Sequence, residues 1–121
     1  RVKALLRRAR PSLLQDVLEF HGLTLNPETM RVERDGDPIH LGAKEFRLLS
    51  VLIERPERVF SREQLLDMVW GHGVYVEERT VDVHMSRLRR ALNRRADGAE
   101  NRPDIIRTVR GTGYSLSRPG T

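Results

Sequence analysis

Residues 79–95, RTVDVHMSRLRRALNRR, limit what this chain can fold into more than any other stretch. Val81, Met85, Leu88 and Leu92 recur at steps of four, three and four, so in an α-helix they stack on one face and need a core beneath them. The rest of the cylinder carries Arg79, Arg87, Arg89, Arg90, Arg94 and Arg95 against a single acid, Asp82. Opposite the apolar stripe, at 100° per residue, stand Arg79, Val83, Arg87, Arg90 and Arg94. A valine there gains nothing from water, but in a major groove it can touch a thymine methyl while the flanking arginines grip guanine edges or phosphates. The competing reading is a solvated face of long charged side chains.

The 17-residue segment has the same formal charge as the whole chain, +5, although the chain holds 22 Lys and Arg against 17 acids. Residues 11–78 are net acidic. One basic helix on an acidic body is a directed face for a polyanion rather than general stickiness. With no cysteine among 121 residues, disulfides, cysteine-ligated zinc and thiol catalysis are excluded. His21, His40, His72 and His84 have no metal-ligand spacing, and the acids share no site that the sequence imposes, so no cofactor, metal or catalytic residue is expected. Gly111-Thr112-Gly113 lacks the third glycine and the following helix of a dinucleotide loop and reads as a turn. No apolar run has the length of a membrane span.

Residues 1–10 (RVKALLRRAR) place Val2, Leu5, Leu6 and Ala9 on one side of a short helix that Pro11 stops. They are either the tail of a domain upstream or a terminus without a partner, and residues 12–16 form a linker. From Val17 to Leu41 the pattern becomes four short antiparallel strands, with turns at His21-Gly22, Asn26-Pro27-Glu28 and Asp35-Gly36-Asp37. Phe46, Leu49, Leu52 and Ile53 give a first helix over 43–54. Ser61-Arg62-Glu63-Gln64 is a capping box that opens a second helix with Leu65, Leu66 and Val69 inward, ending near Trp70-Gly71. The connection GHGVYVEE (71–78) is about twice the 3–4 residues of a simple helix-turn-helix, so it is either an inert insertion or a surface with a second task. Residues 93–103 form a polar loop. Ile105–Val109 and Tyr114–Leu116 then make a hairpin with Arg110-Gly111-Thr112-Gly113 at its tip, where glycines admit positive φ. An arginine at such a tip is either solvated or able to enter a minor groove.

Three helices, the last one basic, followed by a hairpin predict an α+β fold: a winged helix-turn-helix behind a four-stranded antiparallel sheet. KEFRLLSVL, RPERVFSREQLLDMVWG, ERTVDVHMSRLRRAL and IIRTVRGTGYSL together resemble the OmpR/PhoB-type effector domain of bacterial two-component response regulators. The resemblance covers residues 17–118, and VYVEERTVDVH with Trp70-Gly71 is similar to the phosphate-regulon branch. It implies that residues 1–16 are the end of a receiver-domain helix and its linker, that 17–118 are the effector domain, and that 119–121 are a tail. It further implies tandem, head-to-tail binding to direct-repeat double-stranded DNA in the cytoplasm, at the bacterial nucleoid. A sensor kinase would act on the receiver.

Carried over position by position, Val83 and Arg87 match base-reading residues, and Arg110 matches the minor-groove arginine of the wing. Arg62, Trp70, Thr80, His84, Arg89, Thr108 and Tyr114 match positions near the DNA backbone, and Arg79, Ser86 and Arg90 share that face. Ser86 departs from the best-known phosphate-regulon pattern, which has arginine there. The family's loop between the second and third helices meets RNA polymerase, which makes Glu63, Trp70, Gly71, Val76, Glu77 and Glu78 candidates to contact a sigma subunit. The rival expectation is a winged helix that docks an acidic protein and binds DNA without regard to sequence.

Overall fold

In the computed structural model the described residues are 17–71, 76–95 and 100–118. The expected helix fragment and linker at 1–16, the tail at 119–121, and parts of the 71–78 and 93–103 connections lie outside them. The chain begins as a sheet in the order β1-β2-β3-β4, all antiparallel: β1 (Leu18–Phe20), β2 (Leu23–Asn26), β3 (Arg31–Arg34) and β4 (Asp37–Ile39). Two of its turns follow from two dipeptides. His21-Gly22 (φ 45° and 85°) and Asp35-Gly36 (φ 53° and 88°) have both residues left-handed, the two-residue turn whose twist suits a hairpin. Strand alternation then puts Leu23, Leu25, Val32 and Arg34 on the buried face.

That face packs on α1 (Ala43–Glu54). Besides Phe46, Leu49, Leu52 and Ile53, the helix buries Leu48 and Glu45, because it is covered by the sheet on one side and by the later helices on the other. After α1, the Glu57 N–H donates to the Leu116 carbonyl at 2.7 Å, and β5 (Phe60–Ser61) pairs with the C-terminal hairpin. The Ser61–Gln64 capping box forms in both directions, at 3.0 and 2.8 Å, and starts α2 (Arg62–Leu65). The helix continues as a π-helical turn (Leu66–Trp70) and stops at Gly71, whose φ of 101° few other residues adopt.

The last helix, α3 (Arg79–Asn93), buries Val81, Met85, Leu88 and Leu92 almost completely. Each such side chain contributes about 2 kcal/mol of apolar transfer. Arg94 has extended backbone and lies past the helix, so it does not belong to the outer face where the helical spacing put it. The wing is the expected hairpin, β6 (Ile106–Val109) and β7 (Gly113–Leu116), and β5 joins it in a three-stranded sheet, β5-β7-β6.

Two buried arginines hold the end of α3 and the chain leading back to the wing. Arg34 donates Nη1 to the Leu92 carbonyl (2.9 Å) and to Asn93 Oδ1 (2.7 Å), and Nη2 to the Pro103 carbonyl (2.6 Å). Arg102 reaches Asp35 Oδ2 at 3.1 Å, Asp37 Oδ2, and the Arg94 carbonyl at 3.2 Å. Burial lowers the pKa of the Arg34 guanidinium, with the neighbouring charges of Asp35, Arg102 and Asp104 adding opposed effects. Arginine nevertheless keeps its proton in proteins.

Candidate nucleic-acid interface

The outer face of α3 is the most direct consequence of the sequence. Val83 is 48% exposed, and with Asp82, Ser86, Arg87 and Arg90 it lines an open groove along the helix. Arg79 and Arg87 are exposed beside it. A short apolar side chain bordered by guanidinium groups is a surface that fits a base-pair edge better than bulk water.

On the flank toward the wing, the only acid of α3 gathers three elements. The Tyr114 hydroxyl donates to Asp82 Oδ1 at 2.6 Å, and Arg62 Nε donates to the same oxygen at 2.7 Å. The Arg62 guanidinium also stands 5.8 Å from the centre of the Tyr114 ring. Burial pushes the Asp82 carboxyl up, but the bonds from Tyr114 and Arg62 outweigh it and hold the group below the ordinary carboxylate range. The same burial and the bond to Asp82 raise the Tyr114 phenol. Bonding to Asp82 raises Arg62.

Arg89 lies on this flank too. It donates Nη2 to the Ile106 carbonyl (2.5 Å) and to Thr108 Oγ1 (2.9 Å), and its Nε stands 2.9 Å from Asp104 Oδ2 without hydrogen-bond alignment. Arg62, Arg89, Thr108 and Tyr114 therefore join helix to wing, and the structure brings them together as braces as much as free contacts.

The opposite flank carries Thr80, His84 and Arg87 by helical position. His84 Nδ1 lies 2.6 Å from Oε2 of Glu45, a residue of α1 only 7% exposed. The Trp70 ring stands 5.3 Å from the imidazole, tilted by 59°, with Lys44 Nζ 5.4 Å from the indole's centre. Burial would push the Glu45 carboxyl up. The His84 bond, the residue's own backbone N–H and the charges of His84 and Arg87 together hold it down.

Arg110 is exposed at the wing tip, next to Gly111 at φ 76°. Gly113 is required for a different reason from the one expected: a Cβ there would sit 1.9 Å from the Phe60 carbonyl oxygen, so it admits the close approach of β5. Of the 71–78 connection, residues 72–75 lie outside the described residues. Val76 is half-buried, and the Glu77 and Glu78 carbonyls accept from the Thr80 and Val81 N–H groups, so these acids open α3, where its dipole favours negative charge. Glu63 is exposed in the first turn of α2.

Sequence reasoning missed Glu45, Arg34, Arg102 and Asp104, and saw Asp82 only as a charge. Asp82 had a readable signal, being the one acid in a basic helix. The others are ordinary charged residues, each with a partner 15 or more positions away. Among the described residues no cluster of three or more His, Cys, Asp or Glu could hold a metal ion, and no helix is long and apolar enough to cross a membrane.

Residues 36–116 match the family model described as transcriptional regulatory protein, C terminal. The chain is 58% identical over 116 residues to the phosphate regulon transcriptional regulatory protein PhoB of Rhizobium meliloti, covering 96% of this chain and 49% of that protein. With PhoB of Escherichia coli it is 50% identical over 117 residues, covering 97% and 49%. The chain thus spans about half the length of these curated relatives. Among solved structures, it is similar to the DNA-binding domain of Escherichia coli CpxR (35% identity, TM-score 0.69, 86% of this chain and 98% of that one). It is also similar to the DNA-binding domain of Klebsiella pneumoniae RstA in complex with RstA box (30% identity, TM-score 0.70, 84% and 97%).

Proposed function

The chain belongs to the OmpR/PhoB-type DNA-binding domains, response-regulator transcription factors rather than enzymes, and from that premise we propose that it reads double-stranded DNA by sequence as the effector domain of a phosphate-starvation regulator. The observation that carries this reading is Val83, exposed in the α3 groove beside Arg87 and Arg90. Val83 and Arg87 read base edges in the major groove, and Arg110 enters the minor groove. Arg62, Trp70, Arg79, Thr80, His84, Ser86, Arg89, Arg90, Thr108 and Tyr114 border the DNA backbone and position the domain.

The relatives' names support the phosphate branch, and the rest of the finer reading rests on the sequence resemblance. Two copies bind head to tail on a direct repeat. The connection from Gly71 to Glu78, with Trp70 and Glu63 beside it, meets the sigma subunit of RNA polymerase. Residues 1–16 end a receiver domain on which a sensor kinase acts, 17–118 form the effector domain, and the site of action is the nucleoid in the cytoplasm.

The deciding experiment is a titration at fixed salt of a phosphate-type direct repeat, a scrambled repeat and a single half-site, with Arg87→Ala alongside. Preference for the intact repeat, lost in the variant, is expected. Equal binding to all three would leave an electrostatic DNA binder and favour a protein-docking winged helix instead.

A further inference from the structure

We propose that Glu45 is a positioning residue for a contact between His84 and a DNA phosphate, and that it makes this contact conditional on a proton. The inference rests on the DNA-binding reading and deepens it. Acidic side chains are rarely this buried without a partner, and the Glu45 side chain is 9% exposed, with Oε2 at 2.6 Å from His84 Nδ1. Gly42, three residues before it, has ordinary extended backbone (φ −71°, ψ 169°), so conformation does not call for glycine there. Space does: a Cβ on Gly42 would lie 2.5 Å from Glu45 Oε1. A buried acid and a glycine that leaves room for it thus converge on one ring nitrogen, and the Trp70 ring stands beside the imidazole.

The proton assignment follows from the pair. An ionised carboxylate only accepts, so Nδ1 carries the hydrogen. Nε2, on the other side of the ring, has no hydrogen bond among the described residues, and the side chain is 20% exposed. In the neutral ring that nitrogen then presents a lone pair, which a phosphate oxygen repels. Only the imidazolium has an N–H at both ends, one for Glu45 and one for the phosphate. The charged groups around it are Glu45 and Lys44 from α1 and Arg87 from α3, with Trp70 adding an uncharged ring. Cognate and random DNA are affected alike, because a phosphate contact carries no base information.

The test is fluorescence anisotropy of a random-sequence duplex and of the direct repeat at fixed salt, in a pH series from about pH 5 to about pH 9. For the unaltered chain, Kd rises with pH on both duplexes by up to about tenfold per unit, as uptake of one proton requires. Glu45→Gln flattens the profile, because its amide can donate to Nδ1 and leave a neutral ring that still donates through Nε2. Gly42→Ala, whose added methyl meets only the Glu45 carboxylate, displaces it and shifts the profile the same way. His84→Gln abolishes the dependence.

Thermal melts confirm that each variant is folded. If Glu45 only stitches α1 to α3, its variants lower Tm and leave the profile of binding unchanged, which overturns the proposal. A flat profile in the unaltered chain overturns it too, as does a dependence that survives His84→Gln and so belongs to another histidine. In those cases Arg87→Ala still loses preference for the repeat, and the DNA reading stands. No DNA binding at any pH defeats both.

Discussion

Tyr114 on the wing donates its hydroxyl to Asp82 on α3 at 2.6 Å, a bond that couples the hairpin to the basic helix. Arg62 donates to the same oxygen, so this carboxylate, together with the bonds from Arg89 to Ile106 and Thr108, holds the wing against α3.

Tyr114→Phe removes the hydroxyl and keeps the buried ring. A hydrogen bond to a charged group contributes about 1.5–3 kcal/mol, so urea unfolding should show a loss in that range. DNA affinity should fall as the wing loosens. An unchanged midpoint would mean that the bond is not formed in solution.

Acid should destabilise the domain through two carboxylates. Asp82 and Glu45 are both depressed in the folded state. Their contribution is therefore complete above the unfolded value of about 4 and lost as pH falls through the folded values. In Asp82→Asn with Glu45→Gln, stability should be lower at neutral pH and the decline below about pH 4 shallower. Parallel curves for the double variant and the parent would contradict this assignment. At the alkaline end the raised Tyr114 has the opposite sign: its contribution is present below about pH 10 and disappears as pH rises through the folded value.

Arg34→Met should be among the most damaging single changes to the fold. It strips the Leu92 and Pro103 carbonyls of a charged donor, for an expected loss of about 3 kcal/mol or more. Arg31→Ala, on the exposed face of the same strand, should stay within about 0.5 kcal/mol. Comparable denaturation midpoints for the two would count against the clamp.

Arg87→Ala and Arg89→Ala should separate reading from bracing. The first should cost about 1–3 kcal/mol of binding on cognate DNA and relax base preference, with the melting temperature unchanged. The second should lower the melting temperature and weaken binding to every sequence, because Arg89 holds Ile106 and Thr108 of the wing. Calorimetry alongside anisotropy titrations distinguishes them.

For the connection before α3, Glu77→Lys is a cleaner probe than Trp70→Ala, since the indole packs against the core and His84. DNA affinity should be kept within about fivefold, the upper scale of an exposed charge interaction, while transcription with purified RNA polymerase falls. Full transcription by this variant would remove the main support for a sigma contact there.

Much of this molecule is written in local pattern. The dipeptides His21-Gly22 and Asp35-Gly36, the Ser61–Gln64 box and the 4-3-4 spacing of Val81, Met85, Leu88 and Leu92 each act within a few residues, so strands, turns, helix starts and the buried stripe can be read directly. The exposed Val83 follows from the same periodicity. Period-2 alternation even places Arg34 on the inner face with Val32, although only its partners explain why an arginine is tolerated there.

The allocation of charge, by contrast, comes from long-range packing. Arg34 and Arg102 are clamps, Arg62 and Arg89 are braces, and Glu45 is buried against His84, because each lies within 3.1 Å of a partner remote in sequence. A charged side chain has no periodic signature of its own. Whether it meets solvent, a phosphate or a carbonyl depends on which distant backbone packing brings beside it, whereas apolar spacing depends on the helix and strand repeats alone.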